Sequence, residues 1–258
     1  MRSCSDLYNE SHVLGGTYVM LKLCCNPCDD GQIPLLLSIW SVPRMSTLTK
    51  LALGMMGRLR PQPTQGVAAK AIALPAPQKE GGMPLMEALS KRRSDREFAH
   101  TELPLPVLST LLWAAYGVNR PGGWRTAPSA LNAQETDVYV ALPSGAYLFD
   151  AVAHELRLVV SSDLRRVTGY QDFVDEAPLD LVYVADYRRM GLVPVSMRES
   201  YASVAAGAIS QNVYLFAASI GLVTVIRAWI DRDAIATALG LSHDQEVLLS
   251  QTIGYPKR

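Results

Sequence analysis

The sequence predicts an α+β protein, and three observations predict it. Two helical patterns come first, then a run of strands, one long apolar helix, and finally a strand, a helix and a strand. That order lacks the regular alternation of a doubly wound fold. The middle strands are joined by short turn sequences, Pro143-Ser-Gly145 and Asp150-Ala-Val-Ala153, which makes them an antiparallel meander. No GxGxxG and no Walker A sequence follows a strand, which argues against a Rossmann dinucleotide site.

A chain of 258 residues, 49% of them hydrophobic, can bury the core of one large domain or two small ones. Its formal charge is zero, so it has no basic excess to meet a polyanion. A small molecule is the expected partner, with neither nucleic acid nor membrane. Cys4, Cys24, Cys25 and Cys28 all lie at the start. Cys25-Asn-Pro-Cys28 has the spacing of a redox or zinc pair, but no second pair follows and the nearest histidine is His12, so no metal is expected. The apolar stretches 13–23 and 33–42 are too short to span a bilayer and lack the layout of a signal peptide. Met45 opens a more ordinary protein start. Residues 1–44 are therefore expected to be an upstream extension, 45–82 an arm or linker, and 83–258 the main domain.

Taken in order, Pro84 suits a first helical turn, and Leu85, Leu89 and Arg92 follow at helical spacing. The stretch Arg92-Arg-Ser-Asp-Arg96 puts three guanidinium forks and a hydroxyl within five residues, a set that suits a phosphate. A solvated, charged helix end has the same composition. Phe98 reads as a core anchor. Val107, Leu108, Leu111, Leu112 and Ala115 form the apolar stripe of a second helix, which Gly117 stops. The loop from Gly122 to Gln134 is long and polar, and such loops often carry function. Pro128, Ser129, Asn132 and Gln134 could meet a planar heterocycle, or Ser129 could simply cap a turn.

Strands are expected at 137–142, 146–149 and 154–160, with His154 an exposed residue at a strand start. A short helix at 162–169 and a buried strand at 179–185 follow. In the segments 169–177 and 187–200, Tyr170, Arg188, Arg189 and Arg198 hint at an anionic or aromatic ligand, but arginines solvated on a mobile loop are the simpler expectation. Residues 201–226 carry no charge. They are long enough for a membrane span, yet Ser210-Gln211-Asn212 in the middle would be costly in lipid. Small residues from Ala202 to Ala208 instead predict a buried central helix at a subunit interface, stopped by Gly221. Residues 222–230 are β-rich, Asp231 or Asp233 caps a helix that Gly240 ends, and 246–253 is the final strand.

Several of these stretches resemble one family in the right order. Arg92-Arg-Ser-Asp-Arg-Glu-Phe98, Pro128-Ser-Ala-Leu-Asn-Ala-Gln134, Gly207-Ala-Ile-Ser-Gln-Asn212 with Gly221-Leu-Val-Thr224, and Leu239-Gly-Leu241 with Ile253-Gly-Tyr-Pro256 resemble the motifs of the FMN-dependent nitroreductase superfamily. The likeness covers about residues 70–258. Leu74-Pro-Ala-Pro77 and Leu111-Leu-Trp-Ala-Ala-Tyr-Gly117 further resemble its SagB-type branch. The resemblance implies a mixed, mainly antiparallel sheet flanked by helices, in an intertwined homodimer with FMN at two interfacial sites.

By motif position, Arg92, Arg93, Ser94 and Arg96 would bind the flavin phosphate and ribityl chain. Pro128, Ser129, Asn132 and Gln134 would approach the isoalloxazine from the other subunit. The backbone at Arg227 and Ala228 would face flavin N5 and O4, with the Arg227 side chain a candidate to stabilise the reduced flavin. Three departures stand out. Ala228 replaces a common glycine. Only Lys257 and Arg258 stand where many relatives have a longer basic tail. No lysine lies between Lys91 and Lys257, so Tyr201 lacks the lysine of the azoline dehydrogenase pair. The implied function is a cytoplasmic oxidoreductase passing electrons from NAD(P)H to a nitroaromatic or quinone in two half-reactions. The alternatives are a non-catalytic flavin-binding or storage module and a dehydrogenase of a modified peptide.

Overall fold

The computed structural model describes residues 70–257, together with the backbone of 11–14 and 17–20. The extension, the Cys25/Cys28 pair and the arm up to residue 69 otherwise lie outside the described residues. The chain divides into two units, Met1–Met55 and Met56–Arg258. In the first, β1 (Ser11–Leu14) and β2 (Thr17–Met20) form an antiparallel pair.

The second unit begins with β3 (Ala71–Ala73) and then α1 (Leu85–Lys91), which has Pro84 at its N-cap. Proline presets the helical φ and gives up an N–H that would lack a partner there in any case. Helix α2 (Leu105–Tyr116) buries Leu108, Leu111, Leu112 and Ala115, as its periodicity requires. It stops at Gly117, where a Cβ would collide with Trp113. A small hairpin, β4 (Val118–Arg120) and β5 (Trp124–Arg125), and a 3-10 turn (Ala130–Asn132) lead to the meander β6 (Thr136–Leu142), β7 (Gly145–Asp150) and β8 (Glu155–Val160). Two 3-10 turns, Arg165–Thr168 and Asp172–Val174, precede β9 (Leu179–Asp186). The long helix α3 (Val195–Ile220), strand β10 (Val223–Arg227), helix α4 (Arg232–Leu239) and strand β11 (Gln245–Gly254) complete the chain.

Seven strands form one sheet in the order β10-β11-β9-β6-β7-β8-β3, and each pairing is antiparallel. This is the expected α+β architecture. Strand β9 lies inside the sheet between β11 and β6 and is buried along its whole length, which is why residues 181–185 read as an apolar run rather than an alternating one. Helix α3 covers one face. Ala202, Ala206, Ile209, Val213 and Ala217 repeat at helical spacing and share a core with Leu179, Leu181, Tyr183 and Ile253. The helix has the length and composition of a membrane span. Its apolar stripe is accounted for by this packing. Gly221 ends it at φ 78°, a left-handed conformation that glycine adopts without strain.

Three expectations change. The last part of the expected arm already belongs to the sheet-bearing unit. Strand β3 pairs with β8, the Gln78 N–H donates to Thr110 Oγ1 at 3.1 Å, and the Ser109 hydroxyl donates to the Pro75 carbonyl at 2.5 Å. The sheet edge therefore starts at Ala71. His154 is half-buried rather than exposed. Its Nε2 lies 2.7 Å from Ser109 Oγ and 3.1 Å from the Pro75 carbonyl, tying the arm to α2, and burial lowers its pKa. Residues 187–200 are not a loop throughout, because Tyr187–Met190 is a 3-10 turn and α3 already begins at Val195 behind its Pro194 N-cap.

Candidate functional site

Helix α1 ends at the first arginine. Arg92 has ψ 123°, so the cluster is extended chain rather than a helix end. Backbone hydrogen bonds hold it on both sides. Asp95 donates its N–H to the Thr224 carbonyl at 3.1 Å, and Lys257 donates to the Glu97 carbonyl at 3.1 Å. Phe98, 1% exposed, anchors the end of the segment and bridges to Pro256. The side chain of Ser94 is tied to the core of the protein. Its hydroxyl lies 2.8 Å from the Tyr214 hydroxyl, which also accepts the Ile226 N–H at 3.0 Å. One tyrosine on α3 thus joins the arginine segment to β10. The sequence offered no separate signal for Tyr214, because it sits inside an uncharged helical run.

The charges around this junction are unequally neutralised. Lys91 pairs with Glu87 at 2.7 Å and Arg93 with Asp95 at 3.1 Å. Slight burial pushes the Asp95 carboxyl up. The Glu97 and Arg96 N–H groups and Arg93 together outweigh that and hold it below its usual value, so it stays ionised. Arg92 instead lies 5.2 Å over the Tyr214 ring and has no acidic partner among the described residues. Arg96 is exposed and likewise lacks one. Arg92 and Arg93 line a cavity of about 490 Å³ together with Tyr214, Gly221, Thr224 and Pro256. A guanidinium held at a cleft without a carboxylate is a ready anion ligand.

The second group, Pro128 to Gln134, is a built loop. Leu131, Asn132 and Gln134 have φ of 56°, 54° and 50°. Such backbone strain costs about 1–3 kcal/mol per residue and persists only where the surroundings over-determine it. Gln134 supplies that determination. Its N–H donates to Ser129 Oγ at 2.9 Å, and its side-chain amide donates to the Gly123 carbonyl at 2.9 Å and to Asn132 Oδ1 at 3.2 Å. The Arg125 Nε–H donates to its Oε1 at 3.0 Å, and Arg189 donates to its main-chain carbonyl at 2.9 Å. Gln134 is 5% exposed, so its amide is spent within the loop. Ser129 and Asn132 are half-buried and Pro128 is exposed.

Beneath this loop, Arg189 departs from its expected place and Glu135 escaped the sequence reading. Arg189 is half-buried rather than solvated, and its guanidinium pairs with Asp137 at 2.8 Å. Glu135 is fully buried, and neither carboxylate oxygen has a side-chain partner among the described residues. Burial pushes its carboxyl up from 4.5 to about 7, against a partial pull from Arg189. The only sequence clue to either was charge beside a strand.

Arg227 also sits differently from a free cation over a cofactor. Its guanidinium is buried against Asp180 at 2.7 Å, the Thr168 carbonyl at 2.9 Å and Thr168 Oγ1 at 3.1 Å. Burial raises the Asp180 carboxyl and lowers the Arg227 guanidinium, and each opposes that shift in the other. The side chain is therefore committed, while Ala228 immediately after it is exposed and offers backbone.

A sequence model of the Nitroreductase family matches residues 89–255. A candidate nitroreductase of Methanocaldococcus jannaschii is 34% identical over 160 residues, covering 58% of this chain and 81% of that protein. The crystal structure of a candidate nitroreductase from Ralstonia eutropha JMP134 is 51% identical with a TM-score of 0.71, covering 78% of this chain and 96% of that one. The NADPH:FMN oxidoreductase of Vibrio harveyi, complexed with NAD+, shares the fold at 20% identity and a TM-score of 0.51, covering 67% of this chain and 69% of that one.

Proposed function

The chain belongs to the nitroreductase family, and from that membership we propose that it is an FMN-dependent oxidoreductase. It passes electrons from NAD(P)H to a small electron-poor acceptor, such as a nitroaromatic or a quinone, in two half-reactions. The observation that carries this reading is the Arg92 guanidinium, held over Tyr214 at the mouth of a cleft with no acidic partner among the described residues. Together with Arg93, Ser94 and Arg96 it supplies the forks and hydroxyl that a phosphate monoester requires. Bound FMN would supply the hydride chemistry. The protein's part is to hold and orient it: Arg92, Ser94 and Arg96 at the phosphate, Pro128, Ser129 and Asn132 at the ring with Gln134 fixing their loop, and the backbone of Arg227 and Ala228 at the far end of β10.

A homodimer completes the proposal. Gly207 lies mid-helix on α3, where glycine costs about 1 kcal/mol relative to alanine. A Cβ there would meet nothing within 4 Å in its own chain. Close approach by a second copy gives that glycine a use, and the exposed Leu85, Met86 and Val204 give the interface apolar area. We place the chain in the SagB-type branch and in the cytoplasm. The branch assignment is supported by the Leu74–Pro77 arm held on Ser109 and His154, and by Trp113 packed on Gly117. The missing lysine beside Tyr201 counts against azoline substrates.

The test is Arg92→Ala. Hydrogen bonds to a charged group are worth about 1.5–3 kcal/mol, so FMN should bind at least about tenfold more weakly. The thermal midpoint of the apoprotein should change little, because Arg92 is only half-buried. Equal flavin affinity in the variant and the wild type would overturn the phosphate assignment. FMN uptake without reduction by NADH or NADPH would favour a storage module instead.

A further inference from the structure

Tyr170 and Trp229 leave two large aromatic surfaces open to solvent, 51% and 76% exposed. Their ring centroids lie 5.7 Å apart with the planes tilted by 50°. Open surface of this kind is ordinary on a loose loop, but here the backbone beside both rings is tied down. Thr168, two residues before Tyr170, is held by Arg227 through its carbonyl and its hydroxyl, and Ser250 Oγ donates to the same carbonyl at 2.9 Å. Gly169 is pressed against the Arg227 guanidinium so closely that a Cβ would collide with it. On the other side, the Gln171 amide donates to the Trp229 carbonyl at 3.5 Å. Asp231, whose carboxylate helps to raise the pKa of the Tyr170 hydroxyl, is itself fixed as the N-cap of α4. The buried Arg227–Asp180 pair therefore acts as a clasp that sets one ring beside the other.

The pair also stands in a definite relation to the arginine cleft. Thr224 lines that cleft at the start of β10, and Trp229 follows the strand's end. Five residues of chain, extended as far as Arg227, place them no more than about 17 Å apart. The exposed backbone of Ala228 lies immediately before Trp229. Two fixed aromatic faces beside exposed backbone suit a flat conjugated molecule, because stacking rewards rings whose positions are already set.

We propose that Tyr170 and Trp229 form the aromatic wall of an acceptor subsite that takes a flat aromatic compound, with Arg227 and Asp180 as positioning residues that hold the wall in place. The assignment of the bound compound as electron acceptor rests on the oxidoreductase reading above. The binding site itself does not.

Isothermal titration calorimetry with naphthalene-2-carboxylate, a flat aromatic that accepts no electrons, tests the site in wild type, Trp229→Ala, Trp229→Phe and Tyr170→Ala. The FMN content of each preparation is measured in parallel. The alanine variants should bind the probe about five- to tenfold more weakly, and Trp229→Phe should stay within about twofold of wild type. Cyclohexanecarboxylate should bind all four proteins equally weakly. Equal affinity for naphthalene-2-carboxylate in all four proteins, or no binding to the wild type, would overturn the proposal. So would a loss of self-association in Trp229→Ala on sedimentation, which would make the pair a subunit contact. A protein that takes up no FMN yet binds the probe through Trp229 would defeat the oxidoreductase reading and leave the aromatic site standing.

Discussion

At Glu135 the chain buries a carboxylate beside Tyr116 and Arg189, with no side-chain donor on either oxygen. The folded protein therefore keeps a proton there that the unfolded chain releases above pH 4.5. The folded state binds more protons between about 4.5 and 7, so stability falls as pH rises through that window and is flat above it. Each pH unit is worth about 1.4 kcal/mol per proton, which puts the loss at no more than about 4 kcal/mol by pH 8. Glu135→Gln should flatten that slope and raise the denaturation midpoint at pH 8, measured by urea unfolding at several pH values. Parallel slopes in the two proteins would contradict it. The residues that hold the site were unevenly legible. The arginine segment and the Ser129–Gln134 loop announce themselves by composition. Tyr214, Arg125 and Arg189 do not, because their partners lie 9 to 120 residues away in the chain. Arg227 was legible as a position, but which way its guanidinium turned depended on Asp180 and Thr168.

Among the elements, α3 has two distinct faces. Its inner stripe of Ala202, Ala206, Ile209 and Val213 packs on the sheet, and this periodicity could be read directly from the sequence. The outer face carries Val204, 70% exposed, one turn before Gly207. If that face meets a second copy, Val204→Arg should place unpaired charge in the contact. Sedimentation equilibrium should then show a shift from dimer to monomer, accompanied by loss of bound flavin, because the ring-facing loop would come from the partner. A variant that stays dimeric and yellow would rule out this face. Edge strand β3 was harder to anticipate than α3. Three residues beside a Pro-rich run carry no strand period, and only pairing with β8 and the hydrogen bonds of Ser109 and His154 bring them into the fold.

For the molecule as a whole, the α+β reading followed from element order, and the seven-stranded antiparallel sheet bears it out. The turns between strands set the meander, whereas β9 and β11 are separated by α3, β10 and α4 and could not be paired from local pattern alone. That long-range pairing carries β10 and its exposed end to within one strand's length of the arginine cleft. Under the proposed function, the cleft and the strand end would together hold one flavin. The most direct measurement is the absorbance spectrum of the purified protein under anaerobic conditions, before and after NADH or NADPH. The expected result is flavin absorbance at about one FMN per chain that bleaches with the nicotinamide donor. A colourless protein that also takes up no added FMN would contradict it.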